Sequence, residues 1–235
     1  MQKKTKGILI YSKISKENNL FIKFLSEDDE IISGIVYGGY SSKNKILYQL
    51  GYFLNFIIIK KNDNSPYSIK GEITSPYISS IINNKYKLSC LIAIISILNL
   101  SLIEGQKIKG IYFESKQIID LIITKKNWLI LFIKFLFNLL KIIGYEVDYK
   151  NNSHNSFFDL ESIEFKEHQN DNTLVFPHKL LNNEEKVKFN SVKQAFLLFE
   201  DIFQNNHLIN MNLKLPVSFI NFKYLILEFL KNKND

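Results

Sequence analysis

Acid–base, nucleophilic and metal chemistry each need side chains whose neighbours set their geometry and pKa, and this sequence offers few such groups. Four histidines, His154, His168, His178 and His207, are dispersed, three of them in one polar stretch, at spacings that match no metal-binding motif. Asp28, Asp29 and Glu30 stand together between two strand-like runs, without an Asp-x-Asp-x-Asp-Gly pattern, and are expected to form a solvated turn. The single cysteine, Cys90, lies in an apolar helical run and is expected to pack rather than react. Alone, it excludes an intramolecular disulfide and a cysteine-built zinc site, and it fits a reducing compartment. The sequence has no G-x-x-x-x-G-K-[ST] loop, no G-x-G-x-x-G turn after a strand, no H-E-x-x-H and no G-x-S-x-G. No catalytic residue, metal ligand or cofactor is therefore expected.

Lysines interleaved with rings give a stronger signal. Lys13, Lys23, Lys43, Lys45, Lys60, Lys61 and Lys70 alternate along the first part of the chain with Tyr11, Phe21, Phe24, Tyr37, Tyr40, Tyr48 and Tyr52. Single-stranded nucleic acid binds such surfaces because cations track phosphates while exposed rings stack on bases. In LFIKF, two-residue alternation puts Phe21 and Lys23 on an outward face and Leu20, Ile22 and Phe24 on an inward one. Phe24, Phe53 and Phe56 are expected to fill the core, whereas Tyr40, beside Gly38-Gly39 in a lysine-bearing loop, is a surface candidate. The residues expected to bind nucleic acid are Lys13, Lys23, Tyr40, Lys43, Lys45, Lys60 and Lys61.

Composition sets the mode of that binding. All 30 basic residues are lysine, against 23 acids, for a net charge of +7. Without the planar fork of arginine, guanine readout is poorly served, but sequence-tolerant attraction to phosphate is intact. Residues 1–80 carry 11 lysines and 7 acids, so positive charge is denser there than in the remainder.

The elements that must position these residues fall into two textures. With 235 residues, 46% of them hydrophobic, the chain can bury one large core or two modest ones. Strands are expected at 7–13, 20–25, 31–37, 52–61 and 67–74, divided by turn-forming SKENN, SEDDE, GGYSSKNK and NDNSP. Five strands in this length suggest a small barrel; the OB-fold is the commonest such closure, and an SH3-like barrel satisfies the same pattern. After Pro76 the period becomes helical, with helices expected at 79–102, 115–124, 127–143, 191–205 and 217–231, Gly144 closing the third and Pro216 opening the last. The expected class is α+β: an OB-fold domain over 1–78 and a mainly helical domain over 79–235, in which 149–190 is irregular or degenerate.

Two apolar runs, 88–103 and 128–143, are shorter than the roughly twenty residues of a membrane span. The second carries Lys134, Asn138 and Lys141 on one helical face, and both are expected to be helices of a soluble protein. The basic N-terminus is followed by about four apolar residues where a signal peptide needs roughly seven to fifteen, so no export is expected.

The segment from Lys6 to Phe56 resembles the amino-terminal domain of the RecO family of bacterial recombination mediators. The likeness lies in the opening Gly7 with its apolar strand, a Glu17-x-x-Leu20 step, the acidic turn, Gly38-Gly39 followed by Ser41, Ser42 and lysines, and Leu47-x-Gln49-Leu50-Gly51, where the family usually has Leu-Gln-Pro-Gly. It continues in IKFLFNLLKIIGYEVDY, with Lys134 where arginine is frequent and Leu136 where glutamate is usual, then around 192–203 and at Leu215-Pro216. The resemblance implies an OB-fold joined to a helical domain and no enzymatic turnover. It also implies binding to single- and double-stranded DNA, strand annealing, and partnership with RecR and with the acidic tail of single-strand-binding protein. RecA loading would follow from these contacts, in the cytoplasm at the nucleoid. Many members carry zinc-binding cysteines after the position of Asp148; none is present here, which implies a zinc-free variant.

A second reading makes the chain an adaptor that docks acidic peptide tails with little DNA affinity of its own, using Lys125, Lys126, Lys134 and Lys141 as the rim of an apolar groove. A nuclease or metal enzyme would have only the scattered acids and histidines to work with.

Overall fold

The computed structural model describes residues 2–62, 65–75, 77–152 and 156–234; Pro76 and His154 lie outside them. The chain divides into two compact units, Met1–Ile123 and Thr124–Asp235.

In the first unit five strands, β1 (Gln2–Ile14), β2 (Leu20–Ser26), β3 (Ile31–Val36), β4 (Phe53–Ile59) and β5 (Ser68–Ser75), close into a barrel in the order β1-β2-β3-β5-β4. The neighbours are antiparallel except β3 and β5, which meet in parallel at Ile35 and Ser68. This is the OB-fold, one of the two closures the strand pattern allowed. Alternation sorts β2 as expected: Leu20, Ile22 and Phe24 are buried while Phe21 and Lys23 are half-exposed outside. Phe24 and Phe56 stack in the interior with centroids 3.8 Å apart. They leave no room at Gly7, where a Cβ would lie 2.5 Å from Phe24 and 2.9 Å from the Leu25 carbonyl oxygen. Tyr48, one of the rings interleaved with lysines in the sequence, is a core residue: it is buried, and its hydroxyl accepts from Gly71 N at 3.0 Å. Burial pushes its phenol pKa up.

A 3-10 turn (Tyr77–Ser80) leads to α1 (Lys85–Ser101), which starts later than its apolar texture suggested because Asn84 caps it, accepting from Lys87 N at 3.1 Å. Helix α2 (Ile111–Thr124) completes the unit. The acidic turn is more than a solvated hairpin. Asp29, at φ 63°, accepts from Gly110 N at 2.8 Å and Tyr112 N at 2.9 Å, and so holds the start of α2 against the barrel. Lys3 pairs with Asp28 at 2.7 Å and with Glu30 at 3.3 Å. The Lys3 ammonium beside it lowers the Asp28 carboxyl pKa.

The second unit is built on α3 (Trp128–Ile142), closed as expected at Gly144, whose φ of 98° admits a Schellman motif: Gly144 N donates to Lys141 O and Tyr145 N to Leu140 O. Three short strands follow, β6 (Phe157–Asp159), β7 (Glu164–Lys166) and β8 (Thr173–Val175), in the order β7-β6-β8, then α4 (His178–Leu181), α5 (Phe189–Ile202) and α6 (Val217–Asn234). Phe132, Phe196, Phe199, Phe219 and Phe222 fill the core between α3, α5 and α6. Glu200 and Lys223, both largely shielded from solvent, pair at 2.7 Å across α5 and α6.

Within 149–190 the described residues therefore include a small three-stranded sheet. Its centre is Phe176, 4% exposed, with the rings of Phe165, His178, Phe137, Tyr149 and Phe158 at 4.9, 4.7, 5.7, 5.7 and 5.9 Å. A zinc ion does not fit here. The stretch contains no thiol, its interior is occupied by rings, and among the described residues no group of three or more His, Cys, Asp or Glu could hold a metal ion.

Candidate nucleic-acid interface

Strand register assembles lysines and rings on the outside of the barrel. Tyr11 of β1 lies opposite Lys23 of β2, and Lys13 opposite Phe21, so the four side chains form a checkerboard of two cations and two rings on one face. Tyr11 and Phe21 meet edge to face, with centroids 6.2 Å apart. The pattern extends onto β3, where Ser33 lies opposite Lys23 and Ile35 opposite Phe21. Ile35 N donates to Tyr67 O at 2.8 Å, which brings Tyr67 to the edge of the same face. Lys60 Nζ sits 5.8 Å from the centre of the Tyr67 ring.

Beyond β3 lies a cleft of about 730 Å³ whose lining includes Ile31, Ile58, Lys60, Lys61, Tyr67 and Glu104. At the other end, the loop after β3 is fastened to the tip of the β1–β2 hairpin. Gly38 N donates to Asn19 Oδ1 at 3.0 Å, and Tyr40 N to Asn18 O at 2.8 Å. Tyr37 and Tyr40 are 61% and 44% exposed there, and Lys43 and Lys45 point to solvent.

The seven residues singled out in the sequence thus fall into three adjoining groups on one unit. Lys13 and Lys23 belong to the checkerboard, Lys60 and Lys61 to the cleft, and Tyr40, Lys43 and Lys45 to the hairpin-tip loop. Among the described residues, Lys13, Lys23, Lys43, Lys45 and Lys61 form no ion pair, in contrast to Lys3, Lys116, Lys141 and Lys223. Ser33, Ile35 and Tyr67 were not singled out, although the alternation of β3 would have offered the first two. Glu104 had no signal at all; it reaches the face from 71 residues away through a hydrogen bond from Ser33 Oγ.

The four lysines expected to form a partner rim do not all converge. Lys134 and Lys141 line a depression of about 180 Å³ on the second unit with Phe137, Tyr149 and Lys150. Lys125 and Lys126 are exposed before α3 and do not line it. Lys141 is committed to Glu146 at 2.5 Å. Lys134 donates to Asn183 Oδ1 at 3.0 Å, and burial, then the charge of Lys150, lower its pKa.

Comparison with known proteins agrees with the two-part architecture. Residues 84–184 match the family model described as Recombination protein O C terminal. A DNA repair protein RecO of Rickettsia canadensis (strain McKiel) is 26% identical over 217 residues, which cover 88% of this chain and 89% of that protein. The RecO of Rickettsia akari (strain Hartford) is 26% identical over 224 residues, 90% of this chain and 93% of its own. The chain is similar to RecO proteins over most of its length. A RecO protein of Orientia tsutsugamushi (strain Ikeda) is likewise 26% identical, over 148 residues covering 63% of this chain and 61% of its own. At that coverage the similarity to RecO proteins extends to both units. No helix among the described residues is long and apolar enough to cross a membrane.

Proposed function

We propose that this chain is a RecO-type DNA repair and recombination mediator whose barrel binds single- and double-stranded DNA through phosphates and, on single strands, stacked bases, without sequence specificity. The observation that carries the reading is the checkerboard of Tyr11, Lys13, Phe21 and Lys23, whose lysines have no acidic partner among the described residues. By holding complementary strands on a cationic surface, the protein lowers their mutual repulsion and anneals them. With RecR, and on strands coated by single-strand-binding protein, it assists RecA loading; it does so in the cytoplasm, at the nucleoid, without turnover chemistry.

The test is fluorescence anisotropy of a labelled oligonucleotide over a salt series. Counterion release predicts that about five lysine–phosphate contacts cost roughly 10²-fold in affinity between 50 and 200 mM salt. Charge reversal at Lys13 and Lys23, or at Lys43 and Lys45, weakens binding to every sequence alike and flattens the salt slope. An affinity that hardly moves with salt, or a loss confined to some sequences, overturns the reading.

The depression on the second unit supports the alternative role of docking an acidic tail, since Lys134 and Lys150 stand there beside Phe137 and Tyr149. A labelled acidic peptide ending in an aromatic residue, titrated against the chain and against Lys134→Glu, separates the two readings. Peptide affinity with no measurable DNA affinity favours the adaptor.

A further inference from the structure

The connection between α1 and α2 returns to the barrel and is pinned firmly at one end only. Ile108 N donates to Asp29 O at 3.1 Å, the backbones of Lys107 and Glu30 form an isolated antiparallel β-bridge, and the Asp29 carboxylate accepts from Gly110 N and Tyr112 N. Upstream of that anchor, among the described residues, the one hydrogen bond from residues 103–106 to the barrel is the one Glu104 Oε1 accepts from Ser33 Oγ. Ile103 is 57% exposed, and Gly105 has a φ of 84° with nothing within 4 Å of where its Cβ would be. The segment is a short strap held down by a single polar contact.

That contact falls on the face described above. Ser33 lies directly across from Lys23, and Lys23 across from Tyr11, so the row runs ring, ammonium, hydroxyl. Opposed side chains in adjacent strands stand about 4.5–5.5 Å apart at Cβ. A hydroxyl donor on one strand and a lysine opposite it on the next can both reach the phosphates of a nucleic-acid strand that crosses them. A carboxylate shares with a phosphodiester its single negative charge and its pair of acceptor oxygens.

We propose that Ser33 Oγ donates to a phosphodiester on the strand-binding face, with Lys23, unpaired among the described residues, beside it to meet the same strand, and that the Glu104 carboxylate holds the Ser33 donor as a stand-in until a strand displaces it. The proposal rests on the reading of the barrel face as a single-strand site. It makes Glu104 a residue that sets affinity, because every strand must evict one negative charge from its path and then pass beside it.

The experiment is anisotropy titration of a labelled oligothymidylate at low salt, with the full chain and four variants. Glu104→Gln keeps an acceptor for Ser33 but removes the charge, and is expected to bind roughly 2–5-fold more tightly, the upper part of the range of a single exposed charge pair. Glu72→Gln, which neutralises an exposed acid on the outside of β5 away from this row, is expected to change affinity less than about twofold. Ser33→Ala is expected to cost more in the Glu104→Gln background, where the hydroxyl is held by a neutral acceptor and passes more readily to phosphate, than in the wild type. That non-additivity is the signature of a shared position. If Glu104→Gln gains no more than Glu72→Gln, or if the Ser33 and Glu104 effects are additive, Glu104 is only a distant charge and the inference falls alone. If the wild-type chain does not bind the oligonucleotide at low salt, the reading of the face falls and takes this inference with it.

Discussion

At the level of single residues, Asp29 shows how a side chain that looks like ordinary turn material becomes structural. Its positive φ is tolerated because Asp and Asn enter the left-handed region with little strain, and its two oxygens then satisfy two N–H groups at the start of α2 that the helix itself leaves unpaired. Asp29→Ala removes both acceptors and exposes the helix start, and is expected to lower the stability of the first unit by about 1–2 kcal/mol. Asp29→Asn keeps the backbone preference and one acceptor, and should recover at least half of the loss. Urea unfolding followed by circular dichroism measures both; equal losses would mean that the capping contacts contribute nothing. Tyr48 carries the converse lesson. Spacing sets it among rings interleaved with lysines, but spacing does not reveal that its hydroxyl has a backbone partner, Gly71 N, inside the barrel.

Secondary-structure elements were legible to the extent that their signal is local. All five barrel strands and five of the helices have the periodicity expected of them, and Gly144 marks a helix end because only its neighbourhood matters. Boundaries slipped where distant partners decide. Gln2–Lys6 reads as a polar tail, yet it is the edge of β1 because β4 pairs with it from Gln2 opposite Ile59 to Lys6 opposite Asn55. The strap carrying Glu104 was invisible for the same reason. The sheet β6–β8 was missed because strands of three residues carry almost no period; what defines it is the convergence of rings on Phe176. So small a sheet has little stability of its own, and Phe176→Ala should cost about 3–4 kcal/mol and unravel 157–188 before either unit melts. Limited proteolysis would then cut selectively within that stretch, while chelators leave the wild type unchanged; an intact sheet in the variant would refute the role given to the ring cluster.

Across the whole molecule, charge is divided by unit rather than spread. Residues 1–123 carry 16 lysines and 10 acids, whereas 124–235 carry 14 lysines and 13 acids, so the barrel unit holds nearly all of the net +7. On the proposed function, a field concentrated on one unit would draw strands to the barrel and leave the second unit, close to neutral, to meet a partner through side-chain detail. An all-lysine surface suits a protein that must act on any damaged sequence, because ammonium groups follow phosphates without the fork that reads guanine. The expected consequence is annealing of complementary labelled oligonucleotides at a rate that falls steeply with salt, in parallel with binding, and hardly varies with base composition. Lys13→Glu with Lys23→Glu should slow annealing of bare strands and leave capture of an acidic peptide untouched. Lys134→Glu should leave annealing of bare strands unchanged and impair it only on strands coated by single-strand-binding protein. Stopped-flow fluorescence separates these cases. Equal slowing of both reactions by either variant would mean that the two units do not divide the work as their charges do.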